Sequence, residues 1–239
     1  MTTVRVAELW RYPVKSLQGE RLDSALVTAE GLEGDRRFAI HEVETGFGLT
    51  ARREPELLFA SARLRDGGGV EITLPDGSVA RDDGVLSAWL GRPVALRETG
   101  GGAALRFENP VDFENESGAW TPFGGGEGPF HDSTSARVTL LSTATIGAWD
   151  RRRFRPNVLL DGEGEDGLAG ATVGLGEAVL NVGERIKRCV MTTRAQPDGI
   201  ERDLDVMRTI ARERDARLAI GALVSGPGTV RVGDELTRR

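Results

Sequence analysis

Residues 4–9, Val-Arg-Val-Ala-Glu-Leu, alternate apolar and polar positions, the period-2 signature of a half-buried strand. The same pattern predicts strands over 22–28, 36–43, 57–64 and 70–74. Further strands fall at 137–141, 154–160, 172–175, 178–182, around Cys189 as far as 193, at 218–224 and at 230–236. Turns at Gly67-Gly68-Gly69, Pro75-Asp76-Gly77, Pro197-Asp198-Gly199 and Gly226-Pro227-Gly228 punctuate these runs. Helical periodicity is scarce. A short helix over 85–90 stops at Gly91, and Ser142 caps another running to 149. A longer helix begins at Asp203 and ends near 214, with Leu204, Met207, Ile210 and Ala211 on one face. Short strands at this spacing indicate a small barrel or sandwich.

Residues 99–131 break the pattern. They are rich in Gly and Pro and read as a connecting loop, yet Phe107, Phe113, Trp120, Phe123 and Phe130 are more aromatics than a plain spacer carries. Part of the segment should therefore pack.

With 239 residues the chain can form one large domain or two small ones. Its net charge of −6, without a long basic block, argues against a duplex nucleic-acid partner. No apolar run approaches the roughly 20 residues of a membrane span. A single cysteine excludes an internal disulfide and favours a reducing, cytoplasmic location. That cysteine and only two histidines exclude a Cys/His zinc site, and neither a phosphate-binding glycine loop nor a nucleophile elbow is present.

The chemistry that remains centres on Cys189. Arg185, Lys187 and Arg188 precede it, Thr192 and Thr193 follow, and neighbouring positive charge stabilises a thiolate. A buried core cysteine is the competing reading. Elsewhere the candidate binding residues are scattered: Lys15-Ser16, Arg36-Arg37, Arg52-Arg53, Arg155 and Asn157. Arg155 interrupts an apolar run, where an unpaired charge is costly, so it calls for an anionic partner, either a carboxylate or a ligand phosphate. The run His131-Asp132-Ser133-Thr134-Ser135 reads as a capped polar turn.

Several segments, in order, resemble the MOSC family, named for the C-terminal domain of molybdenum cofactor sulfurase. They are Arg11-Tyr12-Pro13-Val14-Lys15-Ser16, Gly31-Leu32-Glu33-Gly34-Asp35-Arg36, Thr50-Ala51-Arg52-Arg53-Glu54-Pro55, Phe154-Arg155-Pro156-Asn157, Arg188-Cys189 with Thr192-Thr193, and Val232-Gly233-Asp234. The resemblance implies a mainly β (α+β) fold with few short helices. An N-terminal β-barrel subdomain over 1–98 would pack on a MOSC barrel over 132–239, joined by the 99–131 loop.

By likeness to the amidoxime-reducing members, Cys189 would ligate molybdenum and Asp132 or Thr134 would occupy the acidic position beside the metal. The pterin cofactor (Mo-molybdopterin) would be held by Lys15, Ser16 and Arg36 at its phosphate, and by Arg155, Asn157, Lys187 and Arg188. Ser133, Thr134 and Ser135 would fall in a further cofactor-contacting segment. The implied activity is two-electron reduction of small N-oxygenated substrates with electrons from a separate donor protein. The alternatives are a persulfide carried on Cys189, or a cofactor carrier without turnover. Gly221 stands near a family contact position and offers no side chain.

Overall fold

A computed structural model describes residues 3–100, 106–115, 117–125, 128–162 and 164–239. Its main feature is an eight-stranded sheet curled into a half-barrel. Across the sheet the strands run Leu236–Arg238, Thr172–Leu175, Ala178–Lys187, Arg217–Gly226, Val138–Ser142, Val158–Leu160, Val6–Arg11, Glu20–Leu22. Every neighbouring pair is antiparallel except Val138–Ser142 with Val158–Leu160. Those two are parallel because a crossover carrying the helix Thr143–Ile146 and the 3-10 turn Arg151–Arg153 returns the chain to the same edge.

The first strand does not stay with the N-terminal part. Leu9 lies opposite Val158 on one side and Leu22 on the other, and Gly228–Arg231 pairs back onto Ser24–Thr28. The sheet therefore crosses the boundary expected near residue 98. One core fills the half-barrel, including Val6, Leu9, Leu140, Leu160, Leu175 and Ile220. A second core, with Val14, Leu17, Ile40, Leu57, Ile72 and Leu86, sits under the antiparallel pair of Phe38–Glu42 with Val94–Glu98 and the three strands that begin at Ser61. The helix Asp83–Leu90 closes that core. Asp82 caps its start by accepting from the Val85 N–H, and Gly91 ends it at φ 68°.

Several elements differ from the sequence pattern, among them the expected strands 22–28 and 230–236, which break at Asp23 and after Arg231. Residues 55–59 form a 3-10 helix, and the strand starts only at Ser61. The expected strand over 154–160 shrinks to Val158–Leu160, because Phe154 to Asn157 turn through a left-handed Arg155. The strand before Cys189 ends at Lys187, and Cys189 instead caps the 3-10 helix Val190–Thr193. The helix after Ser142 is a single turn, Thr143–Ile146. The helix Leu204–Arg214 buries Val206, Met207 and Ile210, while Ala211 faces solvent.

The 99–131 segment is more than a loop. Arg106–Pro110 and Trp120–Gly124 form an antiparallel hairpin, and Phe107 and Phe130 pack with Ala39 in a cluster of their own. Gly48 lets the Phe107 ring in, since a Cβ there would run into it. No helix among the described residues is long and apolar enough to cross a membrane.

Candidate functional site

The site is assembled where two N-terminal turns meet. The Lys15 N–H donates to the Phe38 carbonyl, the Phe38 N–H to Pro13, and the Arg36 N–H to Tyr12, so residues 12–16 and 35–38 are zipped together. Ser16 and Arg36 sit at φ 71° and 53°, and Arg155 opposite them at φ 53°. Left-handed backbone at non-glycine residues costs energy and persists where surrounding structure holds it, commonly at functional sites. Pinned in this way, Arg36 donates to the Arg155 carbonyl at 3.5 Å and pairs with buried Asp35, which also accepts from the Tyr12 N–H at 2.8 Å.

Five cations converge: Lys15, Arg36, Arg52, Arg155 and Arg188. Each is backed by an aromatic ring. Lys15 Nζ lies 4.4 Å from the Phe107 centroid, Arg36 5.1 Å and Arg155 4.2 Å from Tyr12, Arg52 5.3 Å from Phe123, and Arg188 5.6 Å from Phe154. Among the described residues, Asp35 and Asp132 are the carboxylates paired with this charge.

The carboxylates divide the cluster. Asp132, whose side chain is 46% exposed, bridges Lys15 and Arg52. Lys15 Nζ also donates to the Phe130 carbonyl at 2.8 Å. Burial pulls the Lys15 pKa down to about 8 against the attraction of Asp132. Asp132 is held well below the usual carboxylate range, its desolvation overcome by Arg52 and Lys15. Arg155 feels Asp35 and Asp132 only from a distance, with no carboxylate bonded to it among the described residues. It is 5% exposed, and neither terminal guanidinium nitrogen finds a hydrogen-bond partner among the described residues. Burial lowers its pKa to about 10, with Arg36 adding repulsion. Arg188 donates to the Phe154 carbonyl at 2.7 Å but leaves its Nε unpaired, and burial depresses it too.

Cys189 stands between these groups. It is half-buried, interacts with the Arg52 guanidinium, and lies within the electrostatic reach of Arg188. Thr192 and Thr193 turn away, because their hydroxyls bond back to the carbonyls of Cys189 and Val190 at 3.0 and 2.8 Å. Arg153 braces the segment that follows, donating to the carbonyls of Thr192, Arg194 and Glu201 at 3.2, 3.2 and 2.8 Å. Arg194 ties the same segment to the Arg52 carbonyl.

Of the residues singled out in the sequence, the structure gathers Lys15, Arg36, Asp132, Arg155, Arg188 and Cys189. Ser16 is buried, and its hydroxyl accepts from the Ala51 N–H at 3.0 Å, which anchors the turn bearing Arg52. The Asn157 side chain is spent inside the sheet. Its oxygen accepts from the Thr139 N–H and hydroxyl at 3.1 and 3.0 Å, and its amide donates to Trp10 at 3.3 Å. Lys187 is exposed at the end of its strand. Ser133 and Ser135 hydrogen-bond each other at 2.9 Å, and Thr134 is exposed. Gly221 is packed against Ala136, where a Cβ would clash.

The sequence reading named Arg52 only as one of several scattered cations, and it left Tyr12, His131 and the brace Arg153 off the site. Arg52 belongs to a matched motif, but only tertiary contact shows that it touches Cys189. His131 is buried and neutral, its pKa pushed down to about 3 by burial and Arg36.

No group of three or more His, Cys, Asp and Glu side chains capable of holding a metal occurs among the described residues. The arrangement defines a β-barrel protein with a lone thiol set in a ring-backed cluster of cations that outnumber their carboxylate partners among the described residues.

The chain belongs to the MOSC-domain family: the MOSC N-terminal beta barrel domain matches residues 3–85 and the MOSC domain matches residues 124–237. Mitochondrial amidoxime reducing component 2 from Bos taurus is 41% identical over 64 residues, 26% of this chain and 19% of that protein. Its Macaca fascicularis counterpart is 44% identical over 59 residues, 23% of this chain and 18% of that protein. The match thus spans about a fifth of these relatives' length. Among solved structures, a YuaD protein from Bacillus subtilis aligns with a TM-score of 0.46 and 11% identity, over 98% of this chain and 94% of that one. YiiM from Geobacillus stearothermophilus aligns with a TM-score of 0.38 and 14% identity, over 57% and 73%.

Proposed function

We propose that this protein binds a molybdenum–pterin cofactor, with Cys189 as the metal's protein ligand, and reduces small N-oxygenated substrates. The observation that carries the reading is Arg155, a buried guanidinium with both terminal nitrogens unpaired, next to Arg36 and Arg188 and in the same cluster as the only thiol. A cofactor phosphate fits that deficit, since guanidinium forks match phosphate oxygens. The donor set fits as well. One thiolate suits a soft metal site whose remaining sulfurs come with the cofactor.

When bound, the group supplies a metal that cycles through two-electron redox steps. The chain's own residues do the rest. Arg155, Arg36 and Arg188 neutralise the phosphate. Arg52 stabilises negative charge on the Cys189 sulfur, and Arg153 keeps the Cys189 segment in place. Lys15 Nζ, with its lowered pKa and its bond to Asp132, holds a proton in the cluster. Reducing an N–O bond to N–H consumes two electrons and two protons and releases water, so a proton held there is useful. The electrons come from a separate donor protein.

The test is metal and pterin content after expression in a cofactor-competent host. The wild type should carry molybdenum near one per chain, Cys189→Ser should lose it, and Arg155→Met should lose metal and pterin together. Wild-type protein without molybdenum sinks the proposal. A one-sulfur mass gain on Cys189 after treatment with a cysteine desulfurase would support the persulfide carrier instead. Loaded protein inert toward N-hydroxylated compounds and a reductant would be a carrier without turnover.

A further inference from the structure

The hairpin of Arg106–Pro110 with Trp120–Gly124 lies, but for its last residue, between the two stretches that match the family. Family membership therefore assigns it no role. Its register puts Phe107 opposite Phe123 and Asn109 opposite Thr121 on one face, with Glu108 opposite Pro122 and Pro110 opposite Trp120 on the other. The turn bearing Arg52 and Arg53 meets both faces. The Phe123 centroid is 5.3 Å from the Arg52 guanidinium and 5.7 Å from the Phe107 centroid. Trp120 lies 4.7 Å from the Arg53 guanidinium, and Glu108 pairs with Arg53.

The two ends of the hairpin are held differently. At the base, Phe107 is fully buried with Ala39 and Phe130, and the Gly48 N–H donates to the Arg106 carbonyl at 2.9 Å. Beyond the strands, Glu114 accepts from Arg208 Nε at 2.7 Å, with both side chains nearly half exposed. Such pairs hold weakly and are screened by salt. Arg208 also keeps Asp205 at 3.0 Å, so it retains a carboxylate when Glu114 lets go. Arg208 belongs to the helix whose Met207 Sδ is 3.9 Å from the Thr192 hydroxyl, in the 3-10 turn that Cys189 caps. The hairpin thus joins the two elements that flank Cys189: the Arg52 turn on one side and this helix on the other. Because Arg52 contacts the half-buried thiol, a single guanidinium separates the Phe123 ring from the sulfur.

We infer that this hairpin is a hinged strap that sets which molecules reach the Cys189 sulfur. Phe123 limits their size, and the Glu114–Arg208 pair is the latch. The buried base is the hinge, since it is the end that salt and solvent do not loosen. A small, flat reactant passes the closed strap, and a bulky one waits for the latch to open. The inference is independent of whether the sulfur holds a metal or a persulfide.

Cys189 is the chain's only cysteine, so thiol chemistry reports on this site alone. Iodoacetamide and a pyrene-bearing maleimide would each be reacted with the full chain prepared without cofactor. The ratio of the two rate constants cancels the thiol's own reactivity and leaves access. In the wild type the bulky reagent should be disfavoured relative to its ratio on N-acetylcysteine amide. Phe123→Ala should relieve that bias by up to roughly tenfold, the worth of one aromatic contact. Glu114→Gln, a change at an exposed side chain that leaves the fold intact, should relieve it about two- to fivefold. Salt at about 0.5 M should do the same to the wild type and add nothing to Glu114→Gln. Exchanging the charges, Glu114→Arg with Arg208→Glu, should restore the wild-type ratio, which general loosening of the hairpin would not. A wild-type ratio equal to that of the free thiol overturns the inference, and so does a ratio that Phe123→Ala and Glu114→Gln both leave unchanged. Metal and pterin content are measured on separate, loaded protein, so failure of the strap and failure of cofactor binding are told apart.

Discussion

Replacing Arg155 should stabilise the empty protein while destroying its capacity for anions. The guanidinium is 5% exposed, and burial lowers its pKa from the ordinary arginine value to about 10. At about 1.4 kcal/mol per unit, holding it charged in the fold costs on the order of 3 kcal/mol. Stacking on Tyr12 returns roughly 1–2 kcal/mol. Both folded and unfolded forms are protonated at neutral pH, so this penalty is constant there. It fades only as pH rises from about 10 toward the ordinary arginine value, where the unfolded chain binds more protons. Arg155→Met, of similar length and free of charge, should therefore raise the stability of cofactor-free protein by about 1–2 kcal/mol, or roughly 3–6 °C in Tm. Scanning calorimetry on protein from a host unable to make the cofactor measures this directly. Adding phosphate should raise the Tm of the wild type and leave the variant unmoved, because only the wild type gains binding energy. If Arg155→Met lowers the Tm of the empty protein, the guanidinium already has its partner in the fold and the case for an anion seat collapses.

Acid should weaken the fold through His131. Its folded pKa of about 3 lies below the unfolded value of 6.5, so the unfolded state takes up the proton first and stability falls as pH drops between those values. The total is on the order of 4–5 kcal/mol by pH 3. Urea midpoints at pH 7 and 4.5 should separate for the wild type and draw together in His131→Phe. Arg153→Met strands three carbonyls that a buried charge now serves, costing about 3 kcal/mol or more. Limited proteolysis should then cut within residues 192–201 before the rest of the chain unfolds, and equal resistance in both proteins would count against the brace. Phe107→Ala, at a fully buried ring, should cost about 3–5 kcal/mol by urea denaturation. It should also detach the 106–124 hairpin, read as faster amide exchange at Arg106–Pro110.

Alternation along the chain was enough to place most strands, because one face of each is buried and the code for that is local. The Ser142 cap was equally legible, and its hydroxyl accepts the Thr145 N–H, while Asp82 and Asp203 cap the other two helices in the same way. The lone cysteine, the cations around it and the matched motifs also pointed at the site from sequence. What misled the reading was backbone that leaves the period-2 pattern for long-range reasons. Arg155 and its neighbours look like strand residues, yet they turn because Tyr12 and Arg36 pack against them. Asn157 looks like a ligand donor, yet it is consumed in joining three strands.

The amino-acid order alone determined a β-rich chain with one thiol and an excess of candidate anion-binding cations. Only the tertiary structure decided which cations are already neutralised, because that depends on where Asp132 lands from more than a hundred residues away. Lys15 and Arg52 receive that carboxylate and Arg155 does not. Pairing at such separation is set by strand register and turn geometry, which no local pattern encodes.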